Sequence, residues 1–228
     1  MSLQRKSLVK GIVLLVSFAV VLVLLFLPLI NGHNTLEFLD NLYNSISKGS
    51  ANYLPNVQES VRQFPPREID VVLTLADDRQ AAHTAQMIAT AGARAQAEGN
   101  QVKVKGDLAG ILSGAIADAE KMYANQGEAI KKKYEFDERR ALYTWWNVLK
   151  AMDFELGKQK LFKEAKLVTL VQNRAVEMAF NYFGIEAQSV RDKYAIVIAS
   201  LIFYVVYTLW YGFGVMYLFE GLGLKLGH

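Results

Sequence analysis

The chain has 228 residues, with 25 Lys and Arg against 22 Asp and Glu, and it contains no cysteine. Without cysteine, the sequence excludes disulfide bonds, thiolate metal sites, iron–sulfur ligation by Cys and a cysteine nucleophile. Hydrophobic residues make up 52% of the chain, and two uncharged apolar runs lie near its ends. Because each run is long enough to cross a bilayer, the composition predicts a membrane protein with one water-exposed domain between two spans.

The first apolar run covers residues 11–30 and follows a short basic tail, residues 1–10, with Arg5, Lys6 and Lys10. As a helix, this run would extend roughly 30 Å, about one hydrocarbon thickness. A basic start before an apolar run is also typical of a cleaved signal peptide. The run is longer than the apolar part of such peptides, and no small-x-small cleavage site follows it. We therefore expect an uncleaved signal anchor.

The second apolar run covers residues 194–219, and a short tail, residues 220–228, follows it. Under the positive-inside rule, the basic N-terminal tail predicts that both termini are cytoplasmic. Residues 31–193 would then be periplasmic or extracellular, and the protein would lie in the cell inner (cytoplasmic) membrane. Arg191 and Lys193 are a mild signal in the opposite direction, so the reverse topology stays open.

The second apolar run carries polar side chains at helical spacing, whereas the first is almost entirely aliphatic. In hydrocarbon each hydroxyl needs a hydrogen-bond partner, and glycine allows another helix to approach closely. We therefore expect this face to pack against the first span, a second copy of the chain or another membrane protein. The residues predicted to make this packing are Ser200, Tyr204, Tyr207, Thr208, Tyr211 and Gly212.

The region between the spans divides into three predicted segments, which together define an α-rich α+β fold. Residues 31–64 are expected to form a membrane-proximal helical segment that ends before Pro65 and Pro66, since neither a proline nor the residue before it favours a continuing helix. Residues 65–126 are expected to form a small α/β unit. Residues 127–193 are expected to form a long helical hairpin, because apolar residues recur there at helical spacing.

Within the α/β segment, residues 69–75 and 101–105 have the pattern of strands, and residues 78–97 and 108–125 have that of helices. The order strand, helix, strand, helix predicts a βαβα unit with a parallel strand pair. Two strands alone make a weak sheet. We therefore expect another segment, or a second copy of the chain, to complete it.

Three glycines, Gly106, Gly110 and Gly114, recur every four residues. This run superficially resembles a glycine-rich nucleotide loop, but it lacks the Gly-Lys-Ser/Thr ending and the close G-x-G turn. Glycines at this spacing on one face of a helix allow a neighbouring backbone to approach. The expected role is therefore tight helix packing.

Acidic residues follow both predicted strands. The pair Asp77-Asp78 and the residue Asp107 are expected to cap the helices that begin there, because an aspartate oxygen accepts a hydrogen bond from a free backbone N–H at a helix start. Cation binding by these three residues is a weaker alternative. The histidines do not stand at metal-ligand spacing, so we predict no metal site and no cofactor.

No catalytic motif stands out, and the chain is predicted not to be an enzyme. The leading hypothesis is a non-enzymatic, membrane-anchored interaction or scaffold protein. It would be a homo-oligomer or an accessory subunit of a membrane transport or respiratory complex. Its partners would be the lipid bilayer and either further copies of itself or another integral membrane protein. The near balance of basic and acidic residues gives no sign of nucleic-acid binding.

Two other functions remain open. The layout of span, outer domain and span resembles that of bacterial transmembrane receptors, which implies a ligand-sensing module outside the cytoplasm that signals through a separate partner. The hydroxyl groups of the second span would alternatively line a pore formed by several copies, with Glu220 at its cytoplasmic mouth.

Overall fold

A computed structural model describes residues 3–50 and 52–224. Parts of the predicted tails, at residues 1–2 and 225–228, lie outside the described residues. The fold is helix-rich with one small sheet. The helices are α1 (Leu3–Phe26), α2 (Thr35–Ser50), α3 (Leu54–Arg62), α4 (Asp78–Thr90), α5 (Leu108–Tyr123), α6 (Gly127–Tyr134), α7 (Glu138–Lys158), α8 (Phe162–Val171), α9 (Met178–Tyr182) and α10 (Val190–Gly221). The strands are β1 (Glu68–Thr74), β2 (Arg94–Glu98) and β3 (Gln101–Asp107).

The chain folds into two compact units. The first, here called the terminal unit, consists of Met1–Ser50 and Glu186–His228. The second, here called the central unit, consists of Ala51–Ile185. The central unit contains α3 to α9 and the whole sheet, so the α/β segment and the helices that follow it share one core.

In the terminal unit, α1 and α10 pack against each other as an antiparallel pair, here called the apolar hairpin. Three glycines make this close approach possible. A Cβ at Gly11 would lie 2.5 Å from the backbone N of Leu218, and one at Gly214 would lie 2.9 Å from a methyl group of Leu15. Gly221, at the end of α10, meets the backbone of Leu8 in the same way.

Both helices of the apolar hairpin are long and apolar enough to cross a membrane. They have 24 and 32 residues, and their most apolar stretches have mean hydropathies of 2.9 and 1.9. Most side chains along them are exposed or half-buried. A water-soluble protein normally buries helices of this composition, so these surfaces are compatible with insertion into a lipid bilayer.

The sheet of the central unit corrects the predicted βαβα arrangement. It has three strands in the order β1-β3-β2, and β3 is antiparallel to both of its neighbours. The two strands predicted to form a parallel pair, β1 and β3, are neighbours but run antiparallel. The strands that do run parallel, β1 and β2, are separated by β3. The third strand comes from within this chain, from a segment that the sequence pattern assigned to a helix.

The expected helix over residues 78–97 ends early, at Thr90, and Arg94–Glu98 forms β2. Gly92 turns the chain at a φ of +90°, a value that favours glycine. Glu98 and Gln101 are paired across a two-residue hairpin loop, in which Gly99 has a φ of +58°. The alanines of this segment favour a helix locally, but the backbone pairing with β3 outweighs that preference.

The core of the central unit lies between one face of the sheet and the helices. In β1 and β3 alternate residues point inward, so these two strands are buried on one face and exposed on the other. Helix α5 lies within the core, and α7 packs against α8, which continues into a π-helical turn, Gln172–Glu177. The inward-facing strand residues are Ile69, Val71, Leu73, Val102 and Val104.

Candidate functional site

An open cleft of about 1210 Å³ lies in the central unit and is here called the arginine cleft. The start of α4, the β2–β3 turn, the start of α7 and α9 form its walls. Most of its lining side chains are polar or charged. They are Asp77, Asp78, Arg79, Gln80, His83, Asn100, Arg139, Arg140, Tyr143 and Thr144, together with Ala76 and Phe180.

Three arginines and two aspartates set the charge of the arginine cleft. Asp77 caps α4, because its carboxylate accepts a 2.7 Å hydrogen bond from the backbone N–H of Gln80. Within the described part of the chain, no carboxylate oxygen lies within 4.0 Å of a guanidinium nitrogen of any of the three. Unpaired guanidinium groups in a cleft favour anions, since they present several donors in a planar fork. The three arginines are Arg79, Arg139 and Arg140.

Arg139 is held in place by neighbouring aromatic rings. Its guanidinium carbon lies 5.0 Å from the ring centre of Phe183 and 5.9 Å from that of Phe180. A terminal nitrogen also donates to the backbone oxygen of Phe183 at 3.5 Å. These contacts orient the side chain, and no carboxylate in residues 3–50 and 52–224 pairs with its charge.

His83 lies on α4 with its ring stacked on Phe136, and the ring centres are 4.0 Å apart. Burial lowers the pKa of this imidazole below 6.5, and the positive charges of Arg140 and Arg79 lower the pKa further. The opposing effect of Asp77 is smaller. At neutral pH the imidazole is therefore uncharged, and it can both donate and accept a hydrogen bond.

A buried carboxylate in the core fixes α7, which contributes one wall of the arginine cleft. Asp118 of α5 is fully buried and accepts hydrogen bonds from Trp145 Nε1 at 2.8 Å, from Lys133 Nζ at 2.7 Å and from the Tyr134 hydroxyl. Burial and the hydrogen bond to Asp118 raise the pKa of Tyr134 far above its usual value. Because these donors lie on α6 and α7, the network holds both helices against α5.

Across residues 3–50 and 52–224, no group of three or more His, Asp or Glu side chains is placed to hold a metal ion. Asp107, like Asp77, caps its helix, accepting a 2.9 Å hydrogen bond from the backbone N–H of Gly110. Both predicted caps are therefore confirmed, and both carboxylates have a structural role.

The structure places the three predicted packing glycines in different environments. Gly106 lies on β3 and not on a helix, where a Cβ would come 2.7 Å from the Cβ of Ala93. Gly114 lies on α5, where a Cβ would come equally close to the Cβ of Ala91. At Gly110, on the same helix, an added Cβ would make only ordinary van der Waals contacts.

Three of the residues singled out on the second apolar run contact other helices of the terminal unit. The hydroxyl groups of Ser200 and of Tyr43 on α2 share a 2.6 Å hydrogen bond. The ring of Tyr207 stacks on Phe18 of α1 with ring centres 4.2 Å apart. The ring of Tyr211 lies 5.1 Å from the same phenylalanine. These three side chains meet partners within one copy of the chain.

The other three residues point away from α1. Tyr204 is 67% exposed, and the Thr208 hydroxyl donates to the backbone oxygen of Tyr204 at 2.7 Å. Around Gly212, no atom lies within 4 Å of the position of an added Cβ. The close approach of α1 is made at Gly11, Gly214 and Gly221 instead. Of these three, the sequence had indicated only Gly214, as a glycine that permits another helix to approach.

Sequence reasoning did not identify the arginine cleft. Its residues come from four segments that are far apart in the sequence, and none of them forms a known motif. The adjacent pair Arg139 and Arg140 at the start of a helix was one available signal, since basic residues are unfavourable near the positive end of the helix dipole. Arg79, two residues after the cap of α4, repeats that unfavourable placement.

No protein-family model, curated protein or solved structure matches the chain.

Proposed function

We propose that this chain is a non-enzymatic binding protein, anchored in a membrane by the apolar hairpin, whose arginine cleft binds an anionic ligand. The observation that supports it most directly is the set of three arginines that line one cleft with no carboxylate partner among the described residues. Phosphate, sulfate and carboxylate groups match the donor geometry of a guanidinium. This proposal develops the sensing function, in which a ligand-bound outer domain signals through a separate partner.

The proposed anchor rests on the length and composition of α1 and α10. Their exposed apolar side chains would face lipid, and the close contact along Gly11 and Gly214 would hold the two helices together within it. The basic residues in the first turns of α1, Arg5, Lys6 and Lys10, favour cytoplasmic termini at the cell inner membrane. Because the chain contains no cysteine, single cysteines placed in the central unit and labelled from either side of sealed vesicles would test this orientation.

Ligand binding is tested on the full chain in detergent, with inorganic phosphate and citrate as probes and calorimetry as the readout. We expect saturable binding of at least one probe. The double variant Arg79→Gln and Arg140→Gln should weaken that binding by at least tenfold, on the order of 1.4 kcal/mol. Arg94→Gln, on the exposed face of the sheet, is the matched control. No saturable binding of either probe, or equal losses in both variants, would contradict the proposal.

A second candidate function, packing within a membrane assembly, is favoured by Tyr204. This tyrosine lies near the middle of the second apolar run and is 67% exposed on the apolar hairpin. In hydrocarbon its hydroxyl group needs a partner, and a second copy or another membrane protein would supply one. Such packing corresponds to the hypothesis from the sequence that the chain is a homo-oligomer or an accessory subunit of a membrane complex.

The mass of the native complex in mild detergent tests this second candidate. An integer multiple of 25.5 kDa indicates a homo-oligomer, and a co-purifying membrane protein indicates an accessory subunit. Tyr204→Phe should weaken the association, whereas Tyr207→Phe should not, because the Tyr207 ring packs on α1 of the same copy. A lone monomer from native membranes would contradict this function.

A further inference from the structure

The connection between α7 and α8 exposes two phenylalanine rings. Phe154 is 63% exposed and Phe162 is 67% exposed, the highest values among the large apolar side chains of the described central unit. Phe154 lies one turn before the end of α7, and Phe162 is the first residue of α8. Two phenylalanines exposed so close together in the sequence favour a partner that removes them from water.

Four lysines accompany the two rings. Lys158 forms a 2.8 Å ion pair with Glu155, and its ammonium nitrogen lies 4.2 Å from the ring centre of Phe154. The other three have no carboxylate oxygen within 4.0 Å in the part of the chain that the structure describes. These unpaired lysines are Lys160, Lys163 and Lys166. We call the four lysines and the two phenylalanines the hairpin tip.

The local carboxylates do not neutralise the unpaired lysines. Glu164 lies 3.2 Å from the guanidinium of Arg67. Asp153 accepts a 3.0 Å hydrogen bond from the hydroxyl of Thr169. The hairpin tip therefore combines exposed aromatic rings with an excess of positive charge.

Hydrogen bonds fix the backbone of the hairpin tip. The N–H of Leu161 donates to the backbone oxygen of Leu156 at 2.9 Å, and Lys160 has a left-handed φ of +60°. The side-chain amide of Gln159 donates to the backbone oxygen of Asp70 on β1 at 2.9 Å. The two rings are thus presented from a fixed turn, which lowers the conformational entropy lost when they bind a surface.

We propose that the hairpin tip docks onto the anionic surface of the bilayer that holds the apolar hairpin. Phenylalanine rings enter the boundary between headgroups and acyl chains, while lysines extend to the phosphate groups. A lipid surface matches this tip because exposed aromatic rings and unpaired lysines stand together on one connection, and a phospholipid bilayer offers an apolar layer beside negatively charged headgroups. Anchoring in the same membrane also gives the tip a high effective concentration at that surface. This inference rests on the proposed membrane anchorage, but not on ligand binding in the arginine cleft.

Site-directed spin labelling of the full chain in nanodiscs tests the proposal. Phe154→Cys and Phe162→Cys each give one labelling site, because the chain has no native cysteine. The label reports whether it is accessible to oxygen, which concentrates in lipid, or to a water-soluble nickel chelate. Gln96→Cys, on an exposed strand position, is the control label. Nanodiscs of phosphatidylcholine alone are compared with nanodiscs that also contain phosphatidylglycerol.

We expect the labels at the hairpin tip to gain oxygen access and lose nickel access when phosphatidylglycerol is present, with no change at the control position. The double variant Lys163→Gln and Lys166→Gln should lower the docking equilibrium constant by about fivefold for each lysine removed. Lys131→Gln with Lys132→Gln, another pair of exposed helical lysines, should leave it unchanged. Equal docking in both lipid mixtures, or equal losses in both double variants, overturns the proposal.

A further label separates failure of docking from failure of the anchorage. A label at Tyr204→Cys should be accessible to oxygen in every nanodisc if the apolar hairpin is inserted. If that label is inserted and the hairpin tip stays accessible to the nickel chelate in both mixtures, docking is overturned while the anchorage stands. If the Tyr204 label is also water-accessible, the anchorage and docking both fail. If the tip is shielded in native membranes but in neither nanodisc mixture, the result indicates a protein partner. That outcome would also overturn lipid docking.

Discussion

The indole nitrogen of Trp145 donates a 2.8 Å hydrogen bond to the carboxylate of Asp118, and both residues are fully buried. Lys133 and Tyr134 donate to the same carboxylate. A buried carboxylate is stable only when hydrogen bonds and an opposite charge compensate for its lost hydration. In this way Asp118 joins α5, α6 and α7, the last of which contributes one wall of the arginine cleft.

Replacing Asp118 with alanine should lower the free energy of unfolding of the central unit by about 3 kcal/mol. The variant leaves the donors of Trp145, Tyr134 and Lys133 without their acceptor. Urea unfolding followed by tryptophan fluorescence measures this loss. Asp70→Ala, at a carboxylate whose side chain is 73% exposed, is the control and should change stability by less than about 0.5 kcal/mol. Similar losses in both variants would refute the role given to the buried network.

Two glycines of α5 should respond in opposite ways to alanine. At Gly114 the new Cβ would lie 2.7 Å from the Cβ of Ala91, so we expect a loss of about 1–3 kcal/mol from overpacking. At Gly110 the new Cβ would find ordinary contacts, and alanine should stabilise the helix by about 0.5–1 kcal/mol. The comparison is made by urea unfolding of the two variants. A Gly114→Ala protein as stable as the wild type would show that Ala91, just after α4, is not closely packed on α5.

The apolar hairpin should be sensitive to substitution at Gly11 and tolerant at Gly212. Alanine at Gly11 places a Cβ 2.5 Å from the backbone of Leu218, whereas nothing lies within 4 Å of one at Gly212. Because a backbone contact cannot be relieved by moving a side chain, Gly11→Ala should separate the two helices. The unfolding agent is sodium dodecyl sulfate, added to the protein in mild detergent. Gly11→Ala should therefore unfold at a lower mole fraction of sodium dodecyl sulfate than the wild type, whereas Gly212→Ala should unfold at the same mole fraction as the wild type. Equal midpoints for both variants would contradict the packing described here.

His83 should make the central unit less stable in mild acid. Its pKa in the folded protein lies below the value of 6.5 expected when unfolded, so the unfolded chain binds the proton more readily. The free energy of unfolding should therefore fall as the pH decreases through 6.5, and His83→Gln should remove this part of the pH dependence. Urea unfolding of the two proteins across this pH range gives the comparison.

The neighbouring arginine provides an independent check on the same imidazole. Since the charge of Arg140 lowers the pKa of His83, Arg140→Gln should raise that pKa toward 6.5. Binding of phosphate in the arginine cleft should also raise it, because an anion stabilises the imidazolium form. Both changes are measured by NMR titration of the imidazole, assigned with His83→Gln. A pKa of His83 that Arg140→Gln leaves unchanged would show that the two side chains do not interact.

Local features of the sequence were sufficient to predict several elements. The uncharged lengths of α1 and α10 identify two helices long and apolar enough to cross a membrane, because that property depends on composition alone. The capping roles of Asp77 and Asp107 also follow from local sequence, since a cap contacts a backbone N–H only three residues away. Local sequence patterns also predicted that the fold is rich in helices and has a small sheet.

Tertiary structure alone decided the topology of the sheet and the arginine cleft. Arg94–Glu98 becomes a strand through backbone hydrogen bonds to β3, which no periodicity within that alanine-containing segment signals. The cleft brings Arg79 together with Arg139 and Arg140 from helices that are about sixty residues apart in the sequence. Side chains at such separations meet only when the core packs, because their proximity depends on how α4 and α7 lie against α5 and not on either local pattern.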